Sequence, residues 1–213
     1  VPWFETLRAR GAEVLVGDEP QRREQGELLF TDYGLSGLPI LELSRSISAA
    51  LGKGKEAWVR LDLFPELAQE DLERLIVRRI EQASHKPIEF SFIGLLQKRL
   101  IQVVLKEAGI GELQAPCGKL TEDEVHRIAA KLKNWRLHPI GTQSWMFSQV
   151  TAGGVDVRQV DRQTMESRIV PGLYFAGEVL DIDGDCGGYN LQWAWSSGYM
   201  AGVHAAGASQ PPV

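Results

Sequence analysis

The sequence predicts an α+β fold, and three segments carry this prediction. Residues 12–63 contain alternating or β-branched apolar runs, which are typical of strands. Residues 65–135 repeat apolar residues at spacings of three and four, which is typical of amphipathic helices. Residues 172–206 form an apolar run, a glycine-rich loop and a final helical stretch. We therefore expect a helical block between two strand-containing segments.

The first segment predicts a hairpin, a helix and a further strand. Residues 12–16 are apolar, a turn follows at 17–20, and we expect residues 28–30 to form the return strand. A helix is expected over residues 38–51, with Ser36 as a candidate cap. Residues 56–63 alternate in polarity and predict a strand with one face turned to the core.

Three helices are predicted in the central block. The first is expected to begin at Pro65, since proline is favoured in the first turn. The second carries an apolar face that starts at Ile93, and Gly109 is its candidate C-terminal cap. The third has the clearest start signal, because Thr121 and Glu124 have the spacing of a capping box.

Strands are expected again after the helical block. The pattern predicts them over residues 143–151, 155–160 and 172–177, the last one buried on both faces. A helix then follows from residue 189 to about residue 206.

Composition and charge exclude several classes of function. The 213 residues are 44% hydrophobic and carry a net charge of −5, with acidic and basic side chains interleaved. Without a basic stripe, nucleic acid is not an expected partner. No apolar run is long enough to span a membrane, so no membrane association is expected. Cys117 and Cys186 lie too far apart in sequence to suggest a disulfide framework, which favours a reducing, cytoplasmic location. The histidines have no metal-ligand spacing.

The glycine-rich loop before the last helix is the most informative feature. Glycines at 184, 187 and 188 allow the backbone to approach a ligand closely. They lead into a helix N-terminus, where free N–H groups and the helix dipole favour negative charge. Phosphate or a reduced, anionic flavin ring suits such a site, although a glycine-rich helix entry also serves packing alone.

Three motifs resemble a known family. Residues 172–202, which begin Gly-Leu-Tyr-Phe-Ala-Gly-Glu and contain Asp-Gly-Asp-Cys-Gly-Gly-Tyr-Asn, resemble the C-terminal flavin-binding signature of the bacterial BaiN/YhiN-like NAD(P)/FAD-dependent oxidoreductases. Residues 26–37 are similar to a motif early in that family's inserted domain. Residues 150–155, with 164–167, are similar to its return to the flavin domain. The matches occur in the family's order and span nearly the whole chain.

The resemblance implies an architecture and a reaction. Residues 1–140 would be an inserted substrate or cap domain with a mixed, barrel-like sheet and a three-helix subdomain at about 65–135. Residues 141–213 would be the last strands and helix of an incomplete FAD-binding domain. FAD would be the cofactor and NAD(P)H the electron donor, and hydride would pass through the flavin to a small-molecule substrate.

The resemblance also implies site residues. Glu178 would meet the ribityl or ribose part of FAD. Backbone N–H groups of residues 187–191 would meet the pyrimidine edge of the flavin, and residues 153–154 would lie near the ring face. The implied cofactor-binding set is Gly153, Gly154, Gly177, Glu178, Asp183, Gly187, Gly188, Tyr189, Asn190 and Leu191. No catalytic acid or base is implied.

Two departures from the family pattern stand out. The proline of the Gly-Leu-Ser-Gly-Pro motif is displaced by one residue, to Pro39. The Gly-x-Gly-x-x-Gly motif that holds the pyrophosphate in the family's N-terminal Rossmann segment does not occur in this sequence. We therefore expect the chain to be the C-terminal portion of such an enzyme, with the Rossmann segment as its missing partner and weak FAD affinity by itself. The alternative is a non-catalytic binding or interaction module that retains the fold.

Two smaller motifs have simpler interpretations. Residues 181–185 resemble a calcium loop superficially, but the glycine is one position too early and Gln192 stands where glutamate is required. Cys186 lies inside the flavin-like loop, where a redox role is conceivable and a free structural thiol is the favoured interpretation.

Overall fold

In a computed structural model of the chain, which describes residues 5–7 and 11–208, two compact units are present. They are Val1–Thr142 and Gln143–Val213. The boundary lies two residues from the division expected between 140 and 141. The assignment of these units to a cap domain and a flavin domain stays a prediction.

The first unit contains two antiparallel sheets. One has the order β1-β4-β5, with β1 at Glu5–Leu7, β4 at Leu28–Thr31 and β5 at Gly34–Ser36. The other has the order β3-β2-β6-β7, with β2 at Gly11–Val16, β3 at Glu19–Glu24, β6 at Ala57–Asp62 and β7 at Trp135–Leu137. With the helices, these antiparallel sheets confirm the predicted α+β class.

The predicted hairpin partner was wrong. β2 pairs with β3, in a register that joins Ala12 to Glu24 and Val16 to Glu19. Residues 28–30, the expected return strand, belong to β4 in the other sheet. The polar residues of β3 pair because β3 lies at the edge of its sheet and is largely exposed, so it needs no apolar face.

β6 supplies the centre of the first unit's core. Val59 and Leu61 are buried on one face, whereas Trp58, Arg60 and Asp62 on the other face are half-buried, as the alternating pattern predicts. β6 pairs with both β2 and β7. The core residues packed with it from the strands and helices include Val14, Leu28, Leu43, Leu72, Ile101, Leu105, Ile128 and Leu132.

The first helix, α1, spans Leu38–Gly52, close to the predicted range. Its N-cap is Gly37, not Ser36, which lies in β5. No larger residue fits at position 37, because a Cβ there would lie 2.5 Å from the Glu27 carbonyl oxygen. Steric closeness to the start of β4 therefore requires glycine at the cap position.

The helical block contains α2 (Gln69–Gln82), the short α3 (Ile88–Ser91), α4 (Lys98–Glu107) and α5 (Glu122–Lys133). Pro65 does not start α2, because residues 64–67 form a separate turn in which the Leu67 N–H donates to the Phe64 carbonyl. Ile93 lies outside α4. Gly94, with φ of 83°, interrupts the helix there, since left-handed backbone cannot continue an α-helix.

The predicted capping box of α5 is present. Thr121 Oγ1 accepts the Glu124 N–H at 3.2 Å, and Glu124 Oε2 accepts the Thr121 N–H at 2.9 Å. At the other end of α5, Lys133 Nζ donates to Asp62 Oδ2 at 2.8 Å, to the Phe64 carbonyl at 2.9 Å and to the Leu67 carbonyl at 2.7 Å. Lys133 thus attaches the helical block to the end of β6.

The second unit contains one long helix, α6, at Tyr189–Ala208, which confirms the predicted final helix. The strands predicted over 143–151, 155–160 and 172–177 are absent from the described residues. Single bridges join Val155 to Leu180, Val160 to Ser167 and Glu166 to Tyr174, and short 3-10 turns lie at Trp145–Phe147, Val157–Gln159 and Gly177–Val179. Alternating polarity identifies extended backbone, but a strand forms only where a neighbour supplies a ladder of partners.

None of the helices in the described part of the chain combines the length and hydropathy that a membrane crossing requires.

Replacing Thr121 by alanine is expected to remove the cap of α5 and lower the free energy of unfolding by about 1 kcal/mol. Thr121→Ser, which keeps the hydroxyl acceptor, is the matched control. Urea unfolding followed by helical circular dichroism measures both. Equal stability of the alanine and serine variants would contradict the contribution assigned to the cap.

The two thiols are expected to differ in reactivity. Cys117 is fully buried, its Sγ donates to the Ala83 carbonyl at 3.1 Å, and burial raises the pKa of its thiol. Because the thiolate is the reactive species, Cys117 should resist alkylation in the folded protein even at mildly alkaline pH, whereas the half-buried Cys186 reacts. Mass spectrometry after iodoacetamide treatment, with an unfolded control, tests this. Fast native labelling of Cys117 would show the prediction to be wrong.

Candidate functional site

The sequence-predicted site residues all lie in the second unit. Gly153 and Gly154 precede the bridge at Val155, and residues 177–178 begin a 3-10 turn. Asp183 lies in the loop that follows, and residues 187–191 lead into the first turn of α6. The 177–181 segment contacts the loop at 151–155 and, through Trp193 and Ser197, α6.

The start of α6 exposes backbone to open space. The first intrahelical bond runs from the Gln192 N–H to the Gly188 carbonyl, at 2.9 Å. Helix geometry leaves the N–H groups of residues 189–191 without intrahelical acceptors. Gly188 has φ of 95°, and a Cβ built there meets no atom of the described residues within 4 Å. A ligand can therefore approach these N–H groups without meeting a side chain at position 188.

Asn190 acts on the loop through its side chain. Its Oδ1 accepts the Gly184 N–H at 2.7 Å, and its Nδ2 donates to the Gly184 carbonyl at 2.8 Å. This two-way pairing closes the loop from 184 to 190. The resemblance implies only a backbone N–H role for Asn190, and no sequence pattern predicts its side-chain role.

Two α6 side chains hold the turn at Gly177. Ser197 Oγ accepts the Gly177 N–H at 2.9 Å, and Trp193 Nε1 donates to the Gly177 carbonyl at 3.2 Å. Ser197 is 1% exposed and also donates to the Trp193 carbonyl at 2.6 Å. Sequence analysis missed Ser197. The available signal was a hydroxyl inside an apolar helix, since a buried hydroxyl requires a partner.

Two carboxylates bind the backbone of the Gly153–Gly154 loop. Glu178 Oε1 accepts the Thr151 N–H at 2.6 Å, and Asp181 Oδ1 accepts the Gly153 N–H at 3.1 Å. Glu178, which the resemblance assigns to the sugar part of FAD, thus has one oxygen on the protein backbone. In the sequence, Asp181 stands out only as part of residues 181–185, which resemble a calcium loop superficially.

The space around Gly154 is more crowded than the space around Gly153. A Cβ at position 154 would lie 2.5 Å from the Val179 carbonyl oxygen and 3.0 Å from the Asp181 nitrogen, whereas one at position 153 meets nothing within 4 Å among the described residues. The bridge beside it is formed by Val155, whose N–H binds the Val179 carbonyl at 2.8 Å and whose carbonyl accepts the Asp181 N–H at 3.0 Å. Gly154 is therefore a packing requirement, and Gly153 is the glycine that faces free space.

The charge distribution of this region is one-sided. Residues 169–213 contain no lysine or arginine, while Glu178, Asp181, Asp183 and Asp185 lie between the turn at Gly177 and α6. Positive potential at the start of α6 therefore comes from backbone N–H groups and the helix dipole. Within the described residues, no three His, Cys, Asp or Glu side chains are grouped to hold a metal.

Comparisons with known proteins agree with the motifs. Residues 6–150 match the family described as HI0933-like protein barrel and H2TH domain. The chain is 35% identical over 193 residues to the 3-dehydro-bile acid delta(4,6)-reductase of Clostridium scindens. The aligned region covers 91% of this chain and 47% of that protein.

Two relatives carry a different name. The ribosomal RNA dihydrouridine synthase of Escherichia coli is 36% identical over 81% of this chain, and that of Haemophilus influenzae is 34% identical over 83%. The matches cover 40% and 41% of those proteins, so the chain spans less than half the length of these curated relatives. The family resemblance inferred from the motifs is confirmed: the chain belongs to the HI0933-like protein family.

Proposed function

We propose that the chain contributes the flavin-ring site of a FAD-dependent oxidoreductase that passes hydride from NAD(P)H to a small molecule. The observation that carries this proposal is the start of α6, where the N–H groups of residues 189–191 have no intrahelical acceptor and a Cβ at position 188 would meet no described atom within 4 Å. Family membership and a relative named as a reductase support it. The four carboxylates and the absence of lysine and arginine from 169–213 favour a delocalised ring over a pyrophosphate at this position.

The residues present fit a flavin ring. The N–H groups of residues 189–191 would donate to the pyrimidine edge and stabilise negative charge there on reduction. Asn190 holds the preceding loop in place by binding Gly184. Gly153 would allow close contact with the ring face. Bound FAD would supply the hydride-carrying chemistry. The residues named here would bind the flavin ring and orient it.

The names of the relatives suggest a class of substrate. A delta(4,6)-reductase of a 3-dehydro steroid acid and a dihydrouridine synthase both describe the saturation of a carbon–carbon double bond conjugated with a carbonyl group. In such a reaction hydride adds to the carbon remote from the carbonyl, and a proton adds to the neighbouring carbon. We extend this class, an activated alkene, to the present protein, with a small molecule preferred because the chain has no basic stripe.

The proposal includes a partner for the apolar side of α6. Leu191, Trp195 and Tyr199, spaced by four, are each at least 70% exposed. Such a helix surface is typical of a segment that is covered in the complete domain. The Rossmann segment implied by the resemblance is the partner we propose. We also propose a cytoplasmic location, since Cys117 and Cys186 do not form a disulfide with each other.

Replacing Gly188 by alanine is expected to weaken FAD binding by the intact gene product at least about tenfold, because the new Cβ enters the space beside the α6 N–H groups. Gly172→Ala is the matched control, since Gly172 also has positive φ (81°) and open surroundings among the described residues. Titration followed by flavin absorbance and fluorescence measures the affinity. An equal loss of FAD affinity in both variants would show that backbone strain causes the effect. If the wild-type protein did not bind FAD, a non-catalytic module would be favoured.

Reduced enzyme is expected to be reoxidised by an activated alkene. Under anaerobic conditions, NADH or NADPH should bleach the visible flavin band, and a conjugated enone should restore it because its carbonyl stabilises the charge that hydride addition creates. The same molecule with an isolated double bond is the control. Restoration by both compounds, or by neither, would rule out the proposed substrate class.

A further inference from the structure

The loop that carries Gly153 has no strand ladder to hold its first part. Its bridge to the 177–181 segment begins only at Val155. The two N–H groups before that bridge, those of Thr151 and Gly153, are bound instead by the carboxylates of Glu178 and Asp181. Side chains of the 177–181 segment therefore bind the part of the loop that precedes the backbone bridge at Val155.

Asp181 is connected to the loop at two points. Its own N–H donates to the Val155 carbonyl at 3.0 Å, and its Oδ1 accepts the Gly153 N–H at 3.1 Å. These contacts bracket Gly154, whose lack of a Cβ permits the close approach to Val179. The Gly153 N–H itself is thus joined to the 177–181 segment through one carboxylate oxygen.

We propose that Asp181 is a positioning residue that fixes Gly153 in the orientation needed at the flavin face. This rests on the proposed function. Asp181 acts through the loop and makes no contact with the reacting atoms. The important property is the acceptor oxygen and not the negative charge, so an amide at the same position performs the same task.

The test compares Asp181→Ala with Asp181→Asn. The alanine variant removes the acceptor, while asparagine keeps Oδ1 and loses only the charge. Asp156→Asn is the control for charge, because Asp156 belongs to the same unit and its oxygens bind Arg158 in its own turn. If the alanine variant loses the helical signal of α6, Asp181→Ser, whose shorter side chain holds its oxygen farther from Gly153, replaces it.

The first readout needs no cofactor. Amide hydrogen exchange of Gly153, followed by NMR in the 213-residue chain, should accelerate by about threefold to tenfold in Asp181→Ala and stay at the wild-type rate in Asp181→Asn and Asp156→Asn. Unchanged exchange in Asp181→Ala would overturn the proposal. So would equal acceleration in the asparagine variant.

The second readout uses FAD and the intact gene product. Asp181→Ala should shift the visible absorbance band of bound FAD and weaken its binding severalfold, and Asp181→Asn should restore both. Faster Gly153 exchange with an unchanged flavin spectrum and affinity would overturn the positioning role while leaving the proposed function intact. Failure of the wild-type protein to bind FAD would instead remove the proposed function, before any variant is compared.

Discussion

The second unit depends on side chains that satisfy backbone N–H groups. Its only long regular element within the described residues is α6, and its other segments meet at single bridges. A backbone N–H without a ladder partner can instead donate to a side-chain oxygen of another segment. Glutamate, aspartate, asparagine and serine provide these acceptors, at Glu178, Asp181, Asn190 and Ser197.

The same device recurs away from the candidate site. Asp161 Oδ1 accepts the N–H groups of Gln163 and Thr164, and these bonds lower the pKa of Asp161. Glu166 Oε1 accepts the Gly172 N–H at 2.7 Å. The first unit is built differently, from strand ladders around a continuous apolar core, with polar connections between sheet and helices at Lys133 and at the Arg22–Glu42 pair. The glycine-rich loops are thus found where side chains, and not ladders, determine the backbone path.

Sequence reasoning worked best where the signal was local. The capping box at Thr121, the alternation of β6 and the extent of α6 depend on near neighbours, and all three are confirmed. The partner of β2 was missed because pairing is non-local and an edge strand such as β3 needs no apolar pattern. The roles of Ser197 and Asp181 were missed for a related reason, since each binds a backbone group 20 or 28 residues away. The assignment of the ten residues to a cofactor stays a prediction.

The polar sequence of β3 also has a consequence for how the first unit behaves in solution. An unpaired strand edge invites addition of a strand from another molecule. β3 carries Pro20, which has no N–H to offer, together with Arg22, Arg23 and Glu24. Arg22 is further held by Glu42 at 2.9 Å. At the opposite edge of this sheet, β7 is only three residues long. Both edges thus discourage edge-to-edge aggregation, so this sheet is protected against growing into intermolecular assemblies.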